Sequence, residues 1–262
     1  MAYSRNDVSL KIEFIKGNTT ITVEKGGSYR LVSMGGYTAP EADLTVEDRQ
    51  SGGGYISGKR YEARALSFVL GIPSLPDTET RREALMSFFT PHSEMTVRIT
   101  KNGNIRQIKG YADGAVSTAR DSWVNERAQV SFNLICEQPF FEAVSYTFGT
   151  WSAQSCTLVN NGHTDCGFIC GVTVSGSLVN PSVSCGDKII EVLGTFADGD
   201  VLEVSTENGN CYITVNGSAY YRFAPDSEFF TLPVGSSVIT LGCSSGNVTS
   251  PYAKIKALYG GI

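Results

Sequence analysis

The sequence has two histidines, His92 and His163, in 262 residues. A Ser-His-Asp or Cys-His site therefore has little to draw on. His92 follows Pro91 and reads as a cap or surface residue. There is no Walker A loop and no GxGxxG run opening a helix, so no phosphate cradle is expected. No C-x-x-C pair is present, which removes the commonest half-site for structural zinc. Long apolar runs are missing too. The longest, Leu66–Ile72, is far short of the roughly 20 residues a bilayer-spanning helix needs, and no membrane insertion is expected. The opening MAYSRNDVSLKIEF carries charge early with no apolar run behind it, so no signal peptide is expected.

Positive charge is also not in excess. Lys and Arg number 21 against 26 Asp and Glu, a net charge of −5. Residues 1–145 balance at 17 of each sign, and residues 146–262 carry 4 basic and 9 acidic side chains. Neither part is a basic footprint for nucleic acid. The shift in composition marks a candidate domain boundary near residue 145.

What the chain does have is the composition of a folded β protein. Hydrophobic residues make up 41% and charged residues 18%, values typical of a packed chain. With 28 glycines, 13 Phe and 12 Tyr and one good helix pattern, the fold class expected is mostly β. Six of the seven cysteines follow residue 150. They read as reduced thiols used as small core residues, with a disulfide framework as the lesser alternative.

The stretch Tyr37–Pro91 organises the rest. It opens with a charged arm, YTAPEADLTVEDRQSGGGYISGKRYEAR, whose strand-like ends flank Gly52, Gly53 and Gly54. The arm has too little apolar content for a core of its own and is expected to lie against a partner. An alternating strand follows, with Leu66, Phe68 and Leu70 on one face. The run PSLPDTE then breaks the chain. Thr80 and Glu83 read as a capping box opening a helix, and Leu85, Phe88 and Phe89 form its apolar stripe. Pro91 ends it. Around this stretch, VSLKIEFI and TITV read as strands. MTVRI and IRQIKGYA form a hairpin through Asn102-Gly103-Asn104. RAQVSFNLIC points Ala128, Val130, Phe132 and Leu134 inward. After residue 146, short β-rich runs separated by turn signals read as a small antiparallel sandwich.

Candidate chemistry is sparse. His163, Cys166 and Cys170 could hold zinc, but they lack a fourth ligand, and Phe168 and Cys170 fit an alternating strand better. Glu41, Asp43, Glu47 and Asp48 interleave with Arg49, Lys59, Arg60 and Arg64 and read as paired or solvated faces. Asp198 and Asp200 read as a plain turn rather than a calcium site. Tyr220, Tyr221 and Tyr252 could stack on sugars, but core packing is the stronger reading.

The order of strand, charged hairpin arm, strand, helix, hairpin, strand and sandwich resembles the distal tail protein (Dit) family of long-tailed (siphovirus) bacteriophages. The resemblance is carried by YTAPEADLTVEDRQSGGGYISGKRYEARALSFVLGI, TRREALMSFFTP and MTVRITKNGNIRQIKGYADGAV. In the second half it is carried by NNGHTDCGFICGVTVSG, GDVLEVSTENGNCYITVNG and FFTLPVGSSVITL. It implies an N-terminal β-sandwich-like, ring-forming domain (1–145) with an arm over about 37–66 and a helix over about 80–90. It also implies a C-terminal galectin-like antiparallel β-sandwich (146–262). The function implied is a structural hub: a hexameric ring at the distal end of the tail tube, joining tube to tail tip or baseplate. The partners implied are other copies of the chain, the tail tube protein, a tail-tip or baseplate hub protein and a receptor-binding protein. Double-stranded DNA would pass through the lumen without specific binding. The particle would be the virion tail, assembled in the host cytoplasm. The family brings no catalytic residues, metal or cofactor. Glu41, Asp43, Glu47, Asp48, Arg49, Lys59, Arg60 and Arg64 become candidates for contacts between subunits. Carbohydrate binding by the C-terminal domain in host attachment is the alternative.

Overall fold

A computed structural model describes residues 9–73, 77–121, 127–207 and 210–262. Residues 1–8, the middle of the PSLPDTE breaker, residues 122–126 and the Asn208-Gly209 pair lie outside the described residues. The protein is mostly β, as the composition implies, with one helix among the described residues. It divides into two compact units, Met1–Glu142 with Gly260–Ile262, and Ala143–Tyr259. The chain therefore crosses between them twice.

In the first unit, β1 (Leu10–Lys16), β2 (Thr19–Glu24), β3 (Arg30–Gly35), β4 (Ala42–Asp48), β5 (Gly54–Tyr61) and β6 (Arg64–Ile72) precede the helix α1 (Thr78–Phe88). After it come β7 (Glu94–Lys101), β8 (Asn104–Asp121) and β9 (Arg127–Cys136). One antiparallel sheet runs in the order β2-β1-β7-β8-β9-β6-β3, so β2 and β3 are its terminal strands. The alternation in the sequence sets the buried face. On β6, Arg64, Leu66, Phe68, Leu70 and Ile72 point inward, and on β9 Val130, Phe132 and Leu134 do. The Asn102-Gly103 turn has both residues at positive φ, +51° and +83°, as a two-residue hairpin between β7 and β8 requires.

The helix closes this core through the expected stripe. Leu85, Phe88 and Phe89 are buried, and Phe89 stacks on Phe132 with centroids 3.6 Å apart. Phe14 meets Phe68 and Phe89 edge-on at 5.0 and 5.1 Å, a favoured aromatic geometry. The helix start differs from the expected capping box. It opens after Asp77, ahead of both Thr80 and Glu83, and Asp77 makes no side-chain cap bond. Arg81 holds the start instead: its amide donates to the Asp77 carbonyl at 3.0 Å and its Nε to the Asp77 carboxylate at 2.7 Å. Thr80 and Glu83 thus sit inside the helix. At the other end Lys16 Nζ donates to the Phe88 carbonyl at 3.0 Å, filling a vacancy that every helix C-terminus leaves.

The second unit has two antiparallel sheets. One is built on Phe168–Val179, flanked by Ser245–Ile255 and Val201–Glu207, and the other on Gly235–Gly242 between Ser155–Asn160 and Ser182–Cys185. Cys170, Leu202 and Val204 from the first and Val183 and Leu241 from the second line one interior, the arrangement of a β-sandwich.

Candidate functional site

The arm is the feature the core does not explain. Among the described residues, strands β4 and β5 pair only with each other, as a two-stranded sheet. The tip turns between Arg49 and Gly53. Arg49 donates its amide to Gly53 at 2.8 Å, and Gly52 and Gly53 adopt φ of +89° and +74°, where side chains are strained. Asp43 lies opposite Arg60, Leu44 opposite Lys59 and Glu47 opposite Tyr55, with Ser57 an extra residue where the register shifts between Thr45 and Val46.

Because paired residues share a face, the register sorts the arm into two unlike sides. One side holds Asp43, Thr45 and Glu47 with Arg60, Gly58 and Tyr55. Its charges are largely satisfied within the hairpin. Arg60 Nη2 lies 3.1 Å from Asp43 Oδ2, Tyr55 donates to Glu47 at 2.5 Å, and the Arg49 guanidinium lies 5.7 Å from the Tyr55 ring centre. The Tyr55 bond, with a lesser one from Ser57, lowers the Glu47 carboxyl below its usual range, and the same pairing raises the Tyr55 phenol. The other side holds Ala42, Leu44, Val46 and Asp48 with Tyr61, Lys59, Ile56 and Gly54. Leu44, Val46, Ile56 and Tyr61 are 51%, 61%, 49% and 55% exposed there. Tyr61 also meets Phe140 edge-on at 4.8 Å.

In sequence the arm reads as charge. The uncovered apolar side was missed because the extra residue at Ser57 changes the phase of β5, so Tyr61 and Ile56 do not alternate in sequence. The signal that could have found it is the run Ala42, Leu44, Val46 in the unbroken partner strand.

Arg64 differs from the other candidate contact residues. It belongs to β6, is 5% exposed, and faces the interior of its own unit, so it is not an exposed contact for a neighbour. Its guanidinium donates to the carbonyls of Pro139 (2.5 Å), Gly36 (2.5 Å), Thr38 (2.8 Å) and Gly260 (2.6 Å). It lies 5.0 Å from the Phe141 ring centre. Burial lowers its pKa from the ordinary value. Gly36 precedes the arm and Thr38 lies in its first residues, so Arg64 pins the arm's root. Gly36 has φ +75°, and a Cβ there would lie 1.9 Å from the Ala65 carbonyl oxygen.

Most of the remaining sequence candidates are held by local contacts. Among the described residues no group of three His, Cys, Asp or Glu side chains is placed to hold a metal ion. His163 packs edge-on against Tyr259 at 5.2 Å, and Cys166 exchanges backbone bonds with Leu232 at 3.0 and 2.8 Å. Burial raises Cys136, Cys166 and Cys170 to about 12 and Cys156 to about 11. They are thiols, not thiolates, near neutral pH, and so poor nucleophiles. Asp198 accepts from the Gly176 amide at 2.7 Å, and Asp200 from the Ala197 amide at 2.8 Å, as turn residues do. Tyr220 donates to the Leu193 carbonyl at 2.8 Å, and Tyr252 donates to Glu203. Tyr221 is 83% exposed.

Comparison with known proteins gives a class first. Residues 161–254, all within the second unit, match the family of siphovirus-type tail components, C-terminal domain. The whole chain has the fold of the Dit (gp 19.1) protein of SPP1, described as a paradigm of the hub adsorption apparatus in phages infecting Gram-positive hosts. The two share 14% identity at TM-score 0.69, over 94% of this chain and 98% of that one. A chain of the phage P2 baseplate in its activated conformation with Ca follows at 10% identity and TM-score 0.51, over 95% and 98%. The same baseplate with Sr gives 9% and 0.51, over 95% and 97%. No curated protein matches the sequence. The family match and the shared fold bear out the resemblance to the distal tail protein family.

Proposed function

We propose that the chain is a structural tail hub: a ring, six copies in the reading we favour, at the distal end of a phage tail tube. It joins the tube to the tail tip or baseplate and leaves a lumen through which DNA passes. The first unit forms the ring and the second, read as galectin-like, carries outward contacts. The partners are other copies of the chain, the tail tube protein, a tail-tip or baseplate hub protein and a receptor-binding protein. The chain is assembled in the host cytoplasm and works in the virion as a structural part, not an enzyme. No described helix is long and apolar enough to cross a membrane.

The observation that carries this reading is the free-standing hairpin. A two-stranded sheet is marginal alone in water, and its exposed apolar side calls for a covering surface. Charge balance in the first unit supports it as well, since a lumen without excess positive charge does not hold DNA by its phosphates. Electron microscopy of the purified full-length protein tests the reading. Rings with a central hole are expected, and deletion of Glu41–Arg60 should abolish them while the second unit still folds. A protein that stays monomeric with tube and tip partners present would overturn it.

A second reading, glycan binding by the second unit, draws on the exposed Tyr221 and the nearby ring pair Phe223 and Phe229, 6.0 Å apart. A glycan array that returns no hit counts against it.

A further inference from the structure

The hub reading says that copies of this chain meet; it does not say which surfaces touch. The charged side of the arm is the obvious candidate from the sequence, yet its ion pair and its Tyr55–Glu47 bond close within the hairpin. The opposite side leaves Leu44, Val46, Ile56 and Tyr61 exposed.

The same unit carries a receiving shape. A cleft of about 1030 Å³ opens between the β1–β2 pair and β3, lined by the half-buried Leu10 and Leu31 over the buried Ile12 and Val23, with Glu24, Lys25 and Arg30 also in its lining. It lies between the sheet's two terminal strands, whose outer edges are unpaired among the described residues. Edges of that kind take additional strands readily. The charges match in kind. Asp48 shares the arm's apolar side and suits Lys25 and Arg30, while Lys59, on the same side, suits Glu24.

We propose that the apolar side of the arm, and not its charged side, docks in the β2–β3 cleft of a second copy of this chain. The proposal rests on the ring reading and names its joint. Arm and cleft are different surfaces, so each copy gives one and receives one, a head-to-tail contact that closes into a ring. Pairing of arm with arm would be two-fold and would stop at a dimer.

Cross-linking tests it in a background with the exposed thiols removed (Cys211→Ser, Cys243→Ser). A chain carrying Val46→Cys is mixed with one carrying Leu31→Cys and oxidised. A mixed cross-linked pair is expected, together with loss of labelling of the residue-31 thiol in rings and its return when Glu41–Arg60 is deleted. Self-linking of Val46→Cys alone would overturn the proposal in favour of arm-to-arm contact. A residue-31 thiol shielded even without the arm would overturn it too, as occupation of the cleft by residues 1–8 of the same chain predicts. A second pair of variants separates the two sides. Val46→Glu with Ile56→Glu should lose the ring while far-UV circular dichroism stays unchanged. Asp43→Asn, Glu47→Gln and Arg60→Gln together should keep it. The reverse pattern sinks the proposal and leaves the ring standing, whereas an unmodified protein without rings fails the hub reading itself.

Discussion

The Arg64 guanidinium donates to the Gly260 carbonyl at 2.6 Å, joining positions 196 residues apart in the sequence. With the bonds to Gly36, Thr38 and Pro139 it satisfies four carbonyls from three separate segments. Replacement by Met keeps the length of the stem but removes every donor. A loss of about 3 kcal/mol is expected, since hydrogen bonds to charged groups and the acceptors they leave behind each carry costs of that order. Urea unfolding measures it. Faster hydrogen exchange around Gly36–Thr38 should accompany the loss, because the arm's root is released.

Gly36→Ala should act at the same root by a different route. Its φ of +75° and a Cβ 1.9 Å from the Ala65 oxygen leave no room for a side chain without a backbone shift. A Gly–Ala exchange at a compatible backbone position stabilises by up to about 1 kcal/mol, but here the positive φ and the clash reverse the sign, and a destabilisation of more than about 1 kcal/mol is expected, read as a lowered midpoint in thermal unfolding.

Phe89→Ala removes the ring stacked at 3.6 Å on Phe132 from a fully buried position. The expected cost is about 3–5 kcal/mol, the range for large aromatic truncations in cores. Chemical denaturation checks it. A change near zero would mean that the helix does not close this core.

The arm should respond to pH at both ends of the scale. The Glu47 carboxyl is lowered by its bond from Tyr55, so the stabilisation is present above the ordinary carboxylate pKa and is lost as pH falls through the lowered one. The Tyr55 phenol is raised by the same partner, so its share is present below the ordinary phenol pKa and is lost as pH rises through the raised one. Amide protection factors in β4 and β5, with the intrinsic pH dependence of exchange divided out, should therefore be largest at intermediate pH, and Tyr55→Phe should flatten both limbs.

Thiol reactivity should split by burial. Cys211 and Cys243 are exposed, while Cys136, Cys156, Cys166 and Cys170 are buried, with their pKa values raised by that burial. A colourless disulfide reagent that releases a chromophore should react quickly with the first two. The buried four should react only on unfolding.

Much of the core could be read in advance because its signals are local and periodic. Leu66, Phe68 and Leu70 alternate on β6, and Leu85, Phe88 and Phe89 recur at helical spacing, and all six are buried. The helix start was misread because Thr80 and Glu83 carry the right letters, while the Asp77–Arg81 pair that holds the turn depends on side-chain geometry. Arg64 looked like one more charge of the arm, since nothing in its neighbours announces carbonyls from Pro139 and Gly260. The arm's apolar side stayed hidden behind the extra residue at Ser57. One unpaired residue in β5 is enough to scramble a period-two pattern that the folded hairpin restores.

The return of Gly260–Ile262 to the first unit has a consequence for how such a chain can be altered. The second unit is spliced into the first as a cassette with two fixed seams, at Glu142–Ala143 and at Tyr259–Gly260. A substitute sandwich grafted there must start and finish at both seams. A truncation that removes the second unit by stopping after Glu142 also discards the acceptor Gly260 that Arg64 holds. A faithful excision joins the seams with a short linker instead of cutting the chain once.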